Sequence, residues 1–357
     1  MDGVVAPFDI GGRKIGKDAP CFVIAEAGVN HDGDPGKALA LIDAAADAGA
    51  DAVKFQTFIP EKLATAITPK AEYQKEAGRE ESQLDMLKRL SLDQDAHGRM
   101  AAHCEKRNII FLSTPFDKDS ADMLDGLAVP AFKMPSGELT NLDFLGYVAA
   151  KGKPLIVSTG MATLKEVGAA VDAIVGAGDV PFALLHCVSA YPAAAADCNL
   201  RAMETLERTF GVAVGWSDHT LGSDVALAAV ALGAAIVEKH LTLDKTGPGP
   251  DHRASMEPAD FKSLVGSIRA IESALGDGRK APRGAEKKIA AVARKSLVAA
   301  RDCQAGEKLA PDMVARKRPG TGLPPAKLPD ILGRVLNQGV AEGTPFQAQM
   351  FAGIGKE

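Results

Sequence analysis

Cysteine is sparse and unpatterned in this chain. The five residues, Cys21, Cys104, Cys187, Cys198 and Cys303, are odd in number and form no CxxC pair, which argues against a disulfide framework or a structural zinc site and suits a reducing cytoplasm. Long apolar runs are missing too. No window approaches 18 consecutive uncharged apolar residues, and the first nine residues carry no basic stretch ahead of an apolar one, so neither membrane insertion nor secretion is indicated. A basic stripe is also absent: 41 basic and 46 acidic residues are well mixed, with a formal net charge of −5, and nucleic acid is not an expected partner. With 46% hydrophobic and 24% charged residues, the composition is that of an ordinary globular enzyme or binding protein.

What is present is a regular succession of short apolar runs, each ending on a polar residue able to do chemistry. They cover 21–26, 52–56, 109–114, 131–136, 154–158, 182–186, 212–217 and 235–240, and end on Glu26, Gln56, Thr114, Ser136, Ser158, His186, Ser217 and His240. β-Branched, nearly unbroken apolar runs suit strands buried on both faces, as in a parallel sheet covered by helices. Segments of helical period lie between them, at 35–48, 93–106, 118–127, 139–151, 164–176, 200–209 and 223–232. Gly49 supplies a C-cap for the first. Strand then helix, repeated eight times, predicts an α/β fold, the (β/α)8 TIM barrel, over residues 1–276. A polar insertion at 59–88, holding Tyr73, Gln74, Lys75, Glu80 and Glu81, has the length of an active-site lid. After a last helix at about 258–275 comes the broken, charged stretch 276–284, read as the start of a linker running through 277–293. Residues 294–357 then form a small β-rich domain, with short runs at 296–300, 313–315 and 335–336 and little core of its own.

In a barrel, side chains at the C-terminal strand ends converge on one site. Lys54, Lys133 and Lys239 lie within three different runs, and Thr114, Ser136, Ser158, Ser189 and Ser217 sit at or near run ends beside small residues. Taken singly, each hydroxyl could be a turn residue and each lysine a solvated tip; as a set they make a phosphate or carboxylate site. His219 and His240 close the last two runs, adjacent in a barrel, and could share a divalent metal with an open coordination sphere, or each could be a satisfied structural histidine. Glu26 could shuttle a proton or simply pair with Lys54. The rigid loop Thr246-Gly-Pro-Gly-Pro-Asp-His-Arg253 would present Asp251, His252 and Arg253 over the barrel mouth. Arg318 lies beside a glycine turn in Lys317-Arg-Pro-Gly-Thr-Gly322.

With these residues laid out, the chain resembles the sialic acid synthase family over nearly its whole length. The matching stretches are Ile24-Ala-Glu-Ala-Gly-Val-Asn-His-Asp-Gly33, Val53-Lys-Phe-Gln-Thr57, Ser113-Thr-Pro-Phe116, Lys133-Met-Pro-Ser-Gly-Glu138, Ser158-Thr-Gly-Met161, His186-Cys-Val-Ser-Ala-Tyr-Pro192, Ser217-Asp-His-Thr220, Glu238-Lys-His240, Pro250-Asp251 and Lys317-Arg-Pro-Gly-Thr-Gly322. The C-terminal segment is similar to the antifreeze-like (SAF) domain of these synthases. The resemblance implies condensation of phosphoenolpyruvate with an open-chain N-acetylated hexosamine, releasing phosphate and giving a nine-carbon 2-keto acid. It implies that Lys54, Thr114, Lys133, Ser136, Ser158, Ser189 and Ser217 hold phosphoenolpyruvate, and that Glu26, Gln56, Tyr191 and Asp251 surround the sugar, Glu26 handling a proton. His219 and His240 would bind manganese or magnesium. Arg318 would reach the site from a partner in a domain-swapped homodimer.

Ser189 departs from relatives that carry Asn at that place in the Cys-x-Asn-x-Tyr-Pro motif, and the run Ala193-Ala-Ala-Ala196 lacks the acidic and aromatic character of many relatives. For the sugar, N-acetylmannosamine, giving N-acetylneuraminate, is the first choice. Its rival is 2,4-diacetamido-2,4,6-trideoxymannose, giving N,N'-diacetyllegionaminate, because Lys70-Ala-Glu-Tyr-Gln-Lys75 and Glu81-Ser-Gln-Leu84 resemble synthases of that type. Asp251-His-Arg-Ala-Ser255 argues against the pseudaminate branch. Two readings of other kinds stand beside these: a Schiff-base aldolase using Lys133 as nucleophile, and a non-catalytic sugar-binding module.

Overall fold

In the computed structural model, which describes residues 6–70, 74 and 81–352, an antiparallel hairpin of β1 (Phe8–Ile10) and β2 (Arg13–Ile15) precedes the barrel. The eight runs form parallel strands: β3 (Phe22–Gly28), β4 (Ala52–Thr57), β5 (Ile110–Pro115), β6 (Phe132–Met134), β7 (Leu155–Ser158), β8 (Phe182–Cys187), β9 (Ala213–Asp218) and β10 (Ile236–His240). Their spatial order is β5-β4-β3-β10-β9-β8-β7-β6. β5 and β6 also lie against each other, so the sheet curls into a near-closed barrel whose β5/β6 seam lacks a ladder. A register shift between Glu26 and Gly28 bulges β3 against β4, next to the site, where bulges commonly re-aim side chains.

The alternation of strand side chains sorts the residues. Phe22 and Ile24 of β3, Leu112 of β5, Ile156 of β7, Leu185 of β8 and Ile236 of β10 pack in one inner layer, joined by Ile10 and Ile15 of the hairpin, which thus plugs the N-terminal end. Two residues further along the same faces come Glu26, Thr114, Ser158, Cys187 and Glu238. The alternate faces, among them Val23, Phe55, Phe132, Val157 and Trp216, pack with Leu41, Ile42, Met100 and Phe261 of the surrounding helices. Polar inward residues therefore begin where the apolar plug stops.

The first crossover helix, Pro35–Ala48, starts on the Asp34 side chain, which accepts from the Gly36 and Lys37 N–H groups, and ends on Gly49 at φ 82°, the C-cap expected from sequence. Helix Leu164–Ala177 opens with a Thr163/Glu166 capping box. Where a helix over 139–151 is predicted, the helix is shorter, Leu142–Ala149, because Ser136–Glu138 forms a separate 3-10 turn. Among the described residues of the insertion, helices Pro60–Leu63 and Gln83–Leu90 build a satellite core in which Ala64, Met86, Leu87 and Leu90 pack on Val29 and Phe58. Tyr73, Lys75 and Glu80 lie outside the described residues.

The chain divides into two compact units, Met1–Gly276 and Asp277–Glu357. In the second, β11 (Ser296–Ala299) pairs antiparallel with β12 (Val314–Lys317) over a core of Leu297, Leu309, Ile331, Leu336, Phe346 and Phe351. The stretch read as a linker ends early: Ala285–Ala293 is a helix, tied to the unit by the Gly320 N–H donating to the Ala291 carbonyl at 2.8 Å. Its alanine-rich composition is helix-forming, and the Gly and Pro residues that suggest a break all lie before it. Among the described residues no helix is long and apolar enough to cross a membrane. The five cysteines are buried and unpaired.

Candidate active site

The barrel mouth opens into a cavity of about 420 Å³. Its floor is a buried charge network. Lys54 Nζ lies 2.6 Å from Glu26 Oε2 and 3.9 Å from Glu238 Oε2 and donates to Thr114 Oγ1 at 2.9 Å. Lys133 Nζ lies 3.4 Å from Glu238 Oε1 and donates to Ser158 Oγ at 2.8 Å. Ser217 Oγ donates to Glu238 Oε1 at 3.0 Å. All four charged groups are at most 5% exposed, where unpaired charges would be prohibitively costly. Ser136 and Ser189 sit beside Gly160, whose N–H donates to Ser136 Oγ at 3.0 Å. A Cβ there would stand 2.4 Å from Ser189 Oγ and 2.8 Å from Ser136 Oγ, so only glycine lets the backbone approach both hydroxyls.

The network drives its carboxyls apart. Burial pushes Glu26 up to about 7 against the pull of Lys54. For Glu238, burial is overcome by Lys133 and Lys54, which hold it well below the usual carboxylate range. Lys54 is raised, the Glu238 and Glu26 carboxylates outweighing burial; Lys133 is lowered by burial and by Lys54, with Glu238 opposing. Two lysines thus face one firmly ionised carboxylate and one carboxyl poised near neutrality, a floor suited to an anion.

The imidazoles stand on the same strands as this network, further toward the mouth: His240 is two residues beyond Glu238 on β10, and His219 follows the end of β9, which carries Ser217. The His219 and His240 ring centroids are 5.3 Å apart, and the Tyr191 ring lies 4.1 Å from His219 and 5.7 Å from His240. His219 Nδ1 is 2.8 Å from the Val188 carbonyl, which makes Nδ1 the protonated donor, so that in the neutral ring Nε2 carries the lone pair; against burial, the Cys187 thiol and this carbonyl raise His219. His240 Nδ1 is buried with no hydrogen-bond partner among the described residues and lies 3.9 Å from Asp251 Oδ2. Burial and the nearby His219 lower the basicity of His240 well below the ordinary value, so its ring is neutral and can ligate. Asp251 is raised by burial. Gln56 Nε2 donates to Glu26 Oε1 at 3.2 Å, and Glu26, Gln56 and Asp251 all present an atom within 3.7 Å of a point above Gly28.

Thirteen of the fourteen site residues expected from sequence line this one cavity: Glu26, Lys54, Gln56, Thr114, Lys133, Ser136, Ser158, Ser189, Tyr191, Ser217, His219, His240 and Asp251. Arg318 belongs to the second unit. There Ser296 Oγ donates to the Pro319 carbonyl and accepts from the Gly322 N–H, bracing the turn that follows Arg318.

Three expectations are corrected. Lys239 is not part of the site: strand alternation turns it away from Glu238 and His240, and Nζ donates to Asp218 Oδ2 at 2.7 Å and the Thr220 carbonyl at 2.8 Å. His252 does not face the mouth; it is buried between Thr242 Oγ1 at 2.7 Å and Asp32 Oδ1 at 3.1 Å, pinning the loop that turns Asp251 inward. His186, though it lies in the polar-ended sixth run, bonds to the Cys198 carbonyl at 2.8 Å outside the cavity. Glu238, Cys187 and Gln83 line the cavity and were not singled out from sequence. For Glu238 the signal was available: two residues before His240 on one strand, it must share that face.

The NeuB family model matches residues 41–280 and the SAF domain model residues 294–352. The chain is similar to the N,N'-diacetyllegionaminic acid synthase of Campylobacter jejuni, at 46% identity over 90% of this chain and 97% of the relative, and to that of Legionella pneumophila, at 45% over 92% and 94%. The human N-acetylneuraminate-9-phosphate synthase is 34% identical over 97% of both chains. Among solved structures, the sialic acid synthetase of Leptospira borgpetersenii in complex with citrate superposes with a TM-score of 0.70 at 35% identity, covering 80% of this chain and 95% of that one. The family match spans seven of the eight barrel strands and most of the charge network, and with these relatives it establishes that the chain belongs to the NeuB family.

Proposed function

We propose that this phosphoenolpyruvate-dependent nonulosonic acid synthase, a transferase, condenses phosphoenolpyruvate with 2,4-diacetamido-2,4,6-trideoxymannose and water, giving N,N'-diacetyllegionaminate and phosphate. The observation that carries the reaction is the buried Lys54–Glu238–Lys133 network lining one cavity together with two imidazoles. For the sugar, the comparisons favour this acceptor over N-acetylmannosamine, because the two relatives at 46% and 45% identity are both N,N'-diacetyllegionaminic acid synthases.

In this reading Lys54 and Lys133, with the hydroxyls of Thr114, Ser136, Ser158, Ser189 and Ser217, clasp the phosphate and carboxylate of phosphoenolpyruvate. His219 and His240 hold a divalent ion, manganese or magnesium; the free Nε2 of His219 and the orphaned Nδ1 of His240 fit that role. Two imidazole ligands would leave coordination positions for substrate or water. When bound, the ion supplies Lewis-acid polarisation of the sugar aldehyde. C3 of phosphoenolpyruvate bonds to the aldehyde carbon, water adds at C2, and the bond from C2 to the phosphate ester oxygen breaks, the departing phosphate taking the C2 hydroxyl proton as the keto group forms. Glu26, raised into the neutral range, gives a proton to the aldehyde oxygen and takes one from the attacking water, so its protonation state is restored. Gln56 fixes the Glu26 carboxyl, and Asp251 and Tyr191 orient sugar hydroxyls.

We further infer a domain-swapped homodimer in which Arg318 serves the partner's site. Helix Ala285–Ala293 buries no residue, and its Ile289 and Val292 are 60% and 69% exposed in the single chain, an apolar face that a partner would cover. A cytoplasmic location fits the five unpaired thiols.

The test is phosphate release from phosphoenolpyruvate with manganese, comparing the two sugars and a no-sugar control, with and without EDTA. The expected outcome is metal-dependent release with the diacetamido sugar. Preference for N-acetylmannosamine would assign N-acetylneuraminate synthesis, and EDTA-insensitive turnover would remove the ion from the reaction.

A further inference from the structure

We propose that Gln83 selects the acceptor by reading its 4-acetamido group: the side-chain oxygen of Gln83 accepts the amide N–H, while Met86, Leu87 and Leu63 cover the acetyl and C6 methyl groups. This rests on the reading of the function given above. Gln83 lines the same cavity as the charge network, on the insertion rather than on a barrel strand. Its Oε1 is buried and has no hydrogen-bond partner among the described residues. A buried acceptor left unsatisfied is destabilising, and native proteins seldom leave one without a reason. A bound N–H removes that penalty.

Gln83 stands on an insertion that gives the cavity several apolar side chains. It opens helix Gln83–Leu90, and Met86 and Leu87, one turn on, are 3% and 9% exposed. Both line the cavity, as do Leu63 and Ala64 of the preceding segment. A wall of this kind suits a sugar bearing methyl groups. The trideoxy acceptor offers a C6 methyl and a second acetyl methyl, whereas N-acetylmannosamine offers hydroxyls at C4 and C6, and an unpaired hydroxyl held against apolar side chains is disfavoured. The two polar groups also differ in kind. A hydroxyl rotates to find another partner, while an amide N–H points in one fixed direction. Removing the Gln83 acceptor therefore strands the amide but not the hydroxyl.

Three sugars separate the contributions: the diacetamido trideoxy sugar, 2-acetamido-2,6-dideoxymannose, which keeps the C6 methyl and has a 4-hydroxyl, and N-acetylmannosamine. For the native enzyme, kcat/KM is expected to fall about tenfold at each step along this series, a tenfold change being about 1.4 kcal/mol. In Gln83→Leu the first step should shrink to within about threefold, the second should persist, and KM for phosphoenolpyruvate should be unchanged. Gln83→Glu, which keeps an acceptor of the same reach, should retain a several-fold first step. A full first step in Gln83→Leu overturns the role of Gln83 while leaving the legionaminate reading intact. Should Gln83→Leu not fold, equal native rates with the first two sugars overturn it equally well. If the native enzyme prefers N-acetylmannosamine, the legionaminate reading fails, and this inference with it, before any variant is made.

Discussion

Glu26 and Glu238 are chemically alike and stand on neighbouring strands, yet their surroundings drive them in opposite directions. Glu238 sits between two lysines and stays ionised; Glu26 has one lysine and a buried pocket, which raises it to about 7. A proton donor works in its protonated form, so kcat/KM is expected to fall as pH rises through about 7. Glu26→Gln should lower kcat by roughly 10²–10⁴-fold and abolish that bend; a bend unchanged in the variant would assign it to another group. At this scale the sequence showed which residue types were present but not which way each was driven. Lys54, Lys133 and Lys239 all lie in apolar runs, and the runs as written do not state which face meets the cavity. Strand alternation does: Lys239 falls on the helix-facing side and pairs with Asp218, while Glu238 falls on the other and becomes the hub of the network.

At the scale of elements, the proposed sugar end of the site rests on one helix of the insertion. Helix Gln83–Leu90 is held to the loop after β3 by a close approach at Gly33, which has φ 80° and whose Cβ, if present, would lie 2.2 Å from the Arg89 carbonyl oxygen. Gly33→Ala must strain the left-handed backbone and push the helix away. The expected result is a loss of about 1–3 kcal/mol in unfolding free energy and a several-fold rise in KM for the sugar, with KM for phosphoenolpyruvate within twofold. Equal effects on both substrates would show that the helix supports the whole barrel mouth rather than the sugar end. The strands and crossover helices were legible because apolar period and a glycine stop such as Gly49 are local signals. The placement of the insertion was not, since it depends on Met86, Leu87 and Leu90 finding Val29 and Phe58 across the chain.

For the whole molecule, the proposed swapped dimer makes a prediction that no single-chain arrangement shares. Arg318→Ala and His240→Ala should each have little activity alone. Mixed under subunit exchange, they should recover roughly a quarter of native activity, because half the dimers are hybrid and each hybrid holds one complete site. Activity is then followed against light-scattering mass; no recovery despite confirmed exchange would place Arg318 in its own chain's site.

The sequence by itself determined the barrel, the small second domain and most of the chemistry, because apolar periodicity and the polar residues closing each run are local and survive without a partner. It also placed Asp251 at the site on its own loop. Tertiary structure alone decided which lysines share a carboxylate, that His252 is a buried strut rather than a residue over the mouth, and that the Gln83 side-chain oxygen is buried with no hydrogen-bond partner among the described residues. Those outcomes depend on burial and on neighbours brought from distant positions, which set the charge of a carboxyl and the direction of a side chain in ways its own short segment cannot.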